Sequence, residues 1–491
     1  MGFLHFSRGL KAIAFLSVFC TAAHAQKSPL PPAVEKALAR AQVPREAVTL
    51  LVVDATGAQP PRLSHRSTVP MNPASVMKLV TTYAALDVLG PQFTWTTRVI
   101  MDGSVADGML RGNLVIRGGG DPKLVVERLQ ALLMQVQASG VKVIRGDIVL
   151  DRSAFQVPLL DAGEFDGEPL RPYNARPDAL LINFKSLVMS FSPDLAQGRA
   201  LVRVDPPMAG LVIDDSVPLV RVARCGDWRS ELRASVENPN RLQFAGSYSS
   251  ACGDRVWPTA YAEPDSYAAR AIEGSWRTLG GLLTGSVRDA TAAELALLRA
   301  RGTLSGDKAQ LRLDSPSLPL RDIVRDVNKF SNNVMAQHLF LTLGRQAQPG
   351  PNPQGTPETG RAALGAWWRK SIPQLPAPVV DNGSGLSRIE RVSAASLAGM
   401  LQHAAQSRVA QDLLDSLPIA GTDATMRERA KVVAGQAFVK TGSLRDVTAV
   451  AGYANGASGA RYIVVGIVNH PNAGAARPAL DALIQWAVQE R

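Results

Sequence analysis

Three short elements, separated by two long and unequal gaps, constrain this chain more than any other feature. Ser75-Val76-Met77-Lys78 opens a helical pattern. Ser331-Asn332-Asn333 interrupts two further helical patterns, and Lys440-Thr441-Gly442-Ser443 lies between strand-like stretches. The first gap covers 256 positions (331 − 75), the second 109 (440 − 331). The first is long enough to hold whole domains, and the text changes character inside it. From Phe93 to Ala268 short strand-like runs such as Gly112-Asn113-Leu114-Val115-Ile116 and Leu201-Val202-Arg203-Val204 alternate with Gly, Asp and Pro. Outside the gap, residues 75–89, 320–343, 360–370, 393–406 and 478–490 carry helical spacing. Residues 47–55, 62–69, 437–439, 447–455 and 461–469 look like strands. The expectation is one α/β (α+β) domain, an antiparallel sheet flanked by helices, built from both ends of the chain and interrupted by β-rich insertions. The expected segments are a leader at 1–25, the main domain at 26–92 and 310–491, an inserted domain at 93–180 and 258–309, and a nested insertion at 181–257.

The S-x-x-K pattern alone says little, because a chain this long holds about one by chance. A second copy, Ser305-Gly306-Asp307-Lys308, contains Gly and Asp and reads as a turn. Ser75 has better surroundings. Leu79, Val80, Tyr83, Leu86 and Leu89 follow at helical spacing, and Gly90-Pro91 stops the pattern. Ser75 and Lys78, three apart, share a face. Ser75 also falls in the first turn, where free N–H groups favour negative charge. Taken singly, Ser75 reads as well as an ordinary first-turn serine, Ser331-Asn332-Asn333 as an interhelical turn, and Lys440 as an edge charge. The three together, in order and in context, do not.

The first residues read as an export signal. Arg8 and Lys11 precede the apolar run Ala12 to Ala22, and Ala23-His24-Ala25 forms a cleavage site. That run is short for a membrane span, so no stable membrane anchor is expected. Formal charge is +11, with the basic residues dispersed and aromatics few, so no nucleic-acid site is expected. A basic exported protein suits an anionic surface such as a cell wall. Beyond Cys20 in the leader, Cys225 and Cys252 are an even pair in an exported chain, which predicts a disulfide. There is no HExxH and the histidines are scattered, so no metal is expected.

S-x-x-K, S-x-N and K-T-G in this order resemble the penicillin-recognising serine enzymes. Nearly the whole mature chain resembles the class C low-molecular-mass penicillin-binding proteins, the D-alanyl-D-alanine carboxypeptidase/endopeptidase family. Further strings carry the resemblance: Gly119-Gly120-Asp121-Pro122, Gly146 to Asp151, Tyr173-Asn174-Ala175, Asn382-Gly383-Ser384-Gly385-Leu386-Ser387-Arg388 and Leu417 to Gly421. So does the long insertion after the first element. The resemblance implies a serine β-lactamase/transpeptidase-like fold. It also implies a cofactor-free periplasmic hydrolase acting on peptidoglycan stem peptides and acylated by β-lactams.

Under that resemblance Ser75 is the nucleophile and Lys78 its base, with Lys440 and partial burial lowering the amine's proton affinity. Ser331 relays a proton and Asn333 orients Lys78 and substrate. Lys440, Thr441 and Ser443 hold the terminal carboxylate beside Gly442, and the N–H groups of Ser75 and Ser443 form an oxyanion hole. Glu168, or Asp166 as an alternative, would face Arg388 across the diaminopimelate-type side chain, with Tyr173 nearby. Two other readings stay open: a serine β-lactamase, although no class A-type deacylating glutamate motif is evident, and an inactive wall-binding scaffold. Whether the chain forms a homo-oligomer, and which lysine is the general base, are also left open.

Overall fold

The computed structural model describes residues 1–2, 29–159, 161–303 and 312–489. The expected leader, apart from its first two residues, and the second S-x-x-K copy lie outside them. Among the described residues no helix is long and apolar enough to cross a membrane.

The two ends of the chain build one five-stranded antiparallel sheet. Its order is Ala437–Leu444, Val447–Asn455, Arg461–Asn469, Val48–Asp54, Leu63–His65. The last three long strands form a meander, and the N-terminal strand joins its edge, pairing Val48 with Val468 through to Asp54 with Tyr462. Successive side chains of a strand point to opposite faces, and here both faces are covered. Leu51, Val53, Ala449, Ala451, Ile463, Val465 and Ile467 join one core, with helices Lys78–Leu89, Leu320–Phe330, Asn333–Gln346 and Ala394–Ala405. Val48, Leu50, Val52, Val450, Val464 and Val468 join the other, under helices Pro32–Arg40 and Arg477–Gln489. Double coverage explains why these strands read as continuous apolar runs.

Helix Lys78–Leu89 ends at Gly90, whose φ of 82° is one that L side chains rarely adopt. The chain then enters a second sheet, ordered Leu282–Leu283, Val143–Ile144, Met109–Arg117, Thr96–Ala106, Arg312–Pro316, with Ile148–Asp151 and Val287–Asp289 alongside. Helices Val126–Ala138 and Tyr267–Thr278 pack on it. Strand Arg312–Pro316 pairs antiparallel with the start of Thr96–Ala106, so the outgoing and returning segments run side by side. Trp95 and Ser317 exchange backbone and hydroxyl hydrogen bonds there (2.8 and 3.0 Å), and the Trp95 ring N–H donates to Thr342 at 2.9 Å. Nested within this unit, strands Ser186–Asp194, Arg199–Asp205, Ser216–Val220, Tyr248–Ser249 and Arg255–Ala260 form a third sheet beside a small three-stranded one, with their own core around Phe191 and Tyr248. Cys225 and Cys252 are joined by a disulfide at its edge.

Candidate active site

The first element does not start an α-helix directly. Ala74–Met77 is a 3₁₀ turn, and the α-helix begins at Lys78. Ala74 sits at φ 46°, and Asn72 holds the bend: its side chain accepts from Ala74 N–H at 2.9 Å and donates to the Ser387 carbonyl at 2.9 Å. The turn lies against the sheet edge at Gly442. A Cβ there would meet the Pro73 carbonyl at 2.5 Å and the Ser75 and Val76 nitrogens at 3.1 Å, so only glycine fits. The second element joins two helices. Ser331 closes Leu320–Phe330 at φ 57°, and Asn332 caps Asn333–Gln346 by accepting from Met335 N–H at 3.0 Å.

The three elements meet around two fully buried lysines. Lys78 Nζ contacts Ser75 Oγ at 2.9 Å, Asn333 Oδ1 at 2.6 Å and the Ser384 carbonyl at 2.5 Å. Lys440 Nζ contacts Ser331 Oγ at 2.9 Å and the Thr441 carbonyl at 2.8 Å. Ser75 and Ser331 are part-exposed, while both lysines are fully buried. Thr441 is bonded to Thr425 at 3.0 Å, and Ser443 stands exposed on the same strand.

Burial drives both amines towards neutrality. It holds Lys78 well below the ordinary lysine value; neighbouring Lys440 adds to this and buried Glu390 opposes it. Burial also lowers Lys440, to about 7. A neutral amine has two N–H donors and one lone pair. Two of the three contacts of Lys78 are carbonyl oxygens, which only accept. Both donors are thereby used, and the lone pair is left for the Ser75 hydroxyl.

The Asn382–Arg388 loop supplies the Ser384 carbonyl. It is tied to the first helix by the Thr81 hydroxyl, which donates to the Gly383 carbonyl at 2.6 Å. Beneath it Glu390 is fully buried, with one carboxyl oxygen accepting from the N–H groups of Asp381, Asn382 and Gly383 (3.1, 3.2 and 3.0 Å). The sequence assigns no site role to Ser384, Glu390, Thr425 or Asn72. Three of them, Ser384, Glu390 and Asn72, act through or upon the backbone, which leaves no residue-type signature.

The inserted segment also reaches the site. Asn333 Nδ2 donates to the Tyr173 carbonyl at 3.0 Å. Tyr173 turns its hydroxyl to Asp166 at 2.8 Å, and Asn174 bonds the same carboxyl at 2.8 Å. Burial would raise Asp166, but these bonds hold it below the usual carboxylate value. Glu168 is exposed and paired with Arg171 at 3.3 Å. Arg388 pairs with Asp446 at 3.1 Å and lies 4.6 Å over the Phe165 ring. The structure therefore does not bring Glu168 and Arg388 into contact, and Asp166 is the acid attached to Tyr173. Arg388 and Phe165 line a cavity of about 510 Å³ with Asp161, Glu164 and Asn382.

The family model for D-Ala-D-Ala carboxypeptidase 3 (S13) matches residues 30–490. A D-alanyl-D-alanine carboxypeptidase DacB of Haemophilus influenzae is 27% identical over 400 residues, covering 81% of this chain and 80% of that protein. A D-alanyl-D-alanine carboxypeptidase of an Actinomadura species is 27% identical, covering 85% of this chain and 77% of the relative. The crystal structure of penicillin binding protein 4 (dacB) from Haemophilus influenzae superposes with a TM-score of 0.69 at 23% identity, over 93% of this chain and 99% of that one, so the fold is shared. The chain belongs to the D-Ala-D-Ala carboxypeptidase 3 (S13) family.

Proposed function

We propose that this chain is a serine D,D-carboxypeptidase and D,D-endopeptidase that cleaves D-Ala-D-Ala and D-Ala-diaminopimelate bonds of peptidoglycan stem peptides through an acyl-enzyme on Ser75. The observation that carries the reading is the Lys78 amine, buried and 2.9 Å from Ser75 Oγ with its other contacts to carbonyl oxygens. Lys78 takes the Ser75 proton as the hydroxyl oxygen attacks the carbonyl of the penultimate D-alanine. The N–H groups of Ser75 and Ser443 receive the developing oxyanion. Ser331, bonded to Lys440, passes a proton to the departing amine, which leaves as free D-alanine or as the cross-linked strand. Water then attacks the ester and frees Ser75.

Lys440, Thr441 and Ser443 are assigned to the substrate's terminal carboxylate. Arg388 and Tyr173, with Asp166 favoured over Glu168, are assigned to the charged stem-peptide side chain. A β-lactam enters the same path and stalls at the acyl-enzyme. Export to the periplasm by a cleaved leader belongs to the same reading, as does the division into a main domain and two nested insertions. Fluorescent-penicillin labelling of wild type beside Ser75→Ala, with D-alanine release from a pentapeptide, tests it. A stable one-to-one adduct and release in wild type only are expected. Rapid multiple turnover of a β-lactam would replace the reading by a β-lactamase, and a folded protein without acylation would make it a scaffold.

A further inference from the structure

Resting on the assignment of Ser75 and Lys78 as nucleophile and base, we propose that Glu390 is a positioning residue for that pair: its carboxyl group holds the turn that presents the Ser384 carbonyl to Lys78, and its charge reaches the Lys78 amine.

The holding is geometric. One Glu390 oxygen gathers three consecutive backbone N–H groups, those of Asp381, Asn382 and Gly383. The next two carbonyls in the chain run to the first motif helix, Gly383 to the Thr81 hydroxyl at 2.6 Å and Ser384 to Lys78 Nζ at 2.5 Å. The residue after them, Gly385, lies so close that a Cβ would fall 2.0 Å from the Ala74 carbonyl and 2.7 Å from the Ser75 nitrogen. The loop backbone is therefore pressed against the backbone of the nucleophile. Glu390 sets its height from below.

Holding alone does not require a charge. A glutamine would offer the same acceptor oxygen to the same three N–H groups. Glu390 instead keeps a second oxygen that is buried and has no hydrogen-bond partner. Burying an ionisable group in this way is costly, and the cost is explained if the charge acts on a neighbour. Among the described residues, its charge acts on Lys78 and it feels that of Asp381, while Arg391 bonds its main-chain carbonyl. The effect on Lys78 is to favour the protonated amine, against burial and Lys440. Burial raises Glu390 itself to about 7, the three N–H groups pulling the other way and Asp381 adding to the rise.

The test compares wild type, Glu390→Gln and Glu390→Ala by the rate of Ser75 acylation with a penicillin across pH, scored by intact mass. Glu390→Gln keeps the acceptor and removes the charge. Its Lys78 loses its proton more readily, so the acid limb of the acylation profile moves to lower pH, by about one unit, with thermal stability retained. Glu390→Ala frees the turn, and acylation falls about tenfold on the plateau. A purely structural role moves no limb. If wild type is acylated and Glu390→Gln gives a superimposable profile, the proposal is overturned, whether or not Glu390→Ala folds. If wild type is not acylated, the nucleophile assignment falls first and takes this one with it.

Discussion

Asn469 and Asn72 exchange a complete pair of hydrogen bonds: Asn469 Oδ1 accepts from the Asn72 N–H at 2.8 Å, and its Nδ2 donates to the Asn72 carbonyl at 2.9 Å. The side chain of one residue thus stands in for a strand partner to the other, immediately before the turn that carries Ser75. Asn469→Ala leaves both backbone groups unpaired in a part-buried place. We expect a loss of about 1–3 kcal/mol in stability by urea unfolding. Acylation should slow with it, while Asn469→Asp, which keeps only the acceptor, falls between.

Lys78→Ala should leave the fold intact and slow acylation by about 10²–10⁴-fold, the usual contribution of a positioned base. Stopped-flow labelling with a fluorescent penicillin measures it. A variant acylated at the wild-type rate would move the base to another group.

Lysine burial makes a pH prediction with a definite sign. Lys440 is lowered from 10.5 to about 7. Between those values the unfolded chain binds more protons than the folded one, so its contribution to stability rises with pH. Below about 7 both states are protonated and the full cost of burying the cation is felt. Lys440→Met should therefore gain in urea midpoint relative to wild type on the acid side of neutrality and lose that advantage in the alkaline range. A difference that does not change with pH would show that Lys440 is not driven to neutrality.

Gly442→Ala tests the packing of the motif turn on the sheet edge. The added Cβ would meet backbone atoms of Pro73, Ser75 and Val76, which cannot swing aside as a side chain can. We expect acylation to fall by at least tenfold and thermal stability to drop by an amount typical of overpacking, about 1–3 kcal/mol.

The disulfide should be local in its effect. Cys225 and Cys252 are 27 residues apart, for which loop closure gives about 3–4 kcal/mol. They belong to the core around Phe191 and Tyr248. Cys225→Ser with Cys252→Ser should lower the stability of that unit and leave Ser75 acylation unchanged.

Much of this was legible in the sequence for a physical reason. Each of the three motifs is a local string whose neighbours carry a clear period, so Ser75 and Lys78 read as lying near a helix start, Ser331 in a turn and Lys440 just past a strand at 437–439, which in the structure runs on through the motif as Ala437–Leu444. The sheet was legible because its strands are apolar on both faces. What escaped was contact made by backbone or by a charge in an ordinary setting. Glu390 stands among charged residues in Arg388-Ile389-Glu390-Arg391 with no pattern to mark it, yet it is the buried member. Tyr173 meets Asn333 through its carbonyl, to which residue identity is indifferent. Its place before Tyr173-Asn174-Ala175 points to Glu168, but an exposed acid three residues from an arginine finds that arginine first. The α-helix starts later than its pattern predicts because the bend at Ala74, held by Asn72, gives the first turn 3₁₀ geometry.

The pairing of Val48–Asp54 with Arg461–Asn469 has a bearing on biosynthesis. Ser75 emerges from the ribosome early, but the strand bearing Lys440 and the neighbour of the first strand come almost last. Contacts this distant in sequence form slowly, since the connecting chain must first be ordered. A prematurely terminated product lacking the final meander holds Ser75 without its sheet, its second lysine or Asn469. Such fragments should be inert towards the wall, so interrupted synthesis releases no partly active hydrolase.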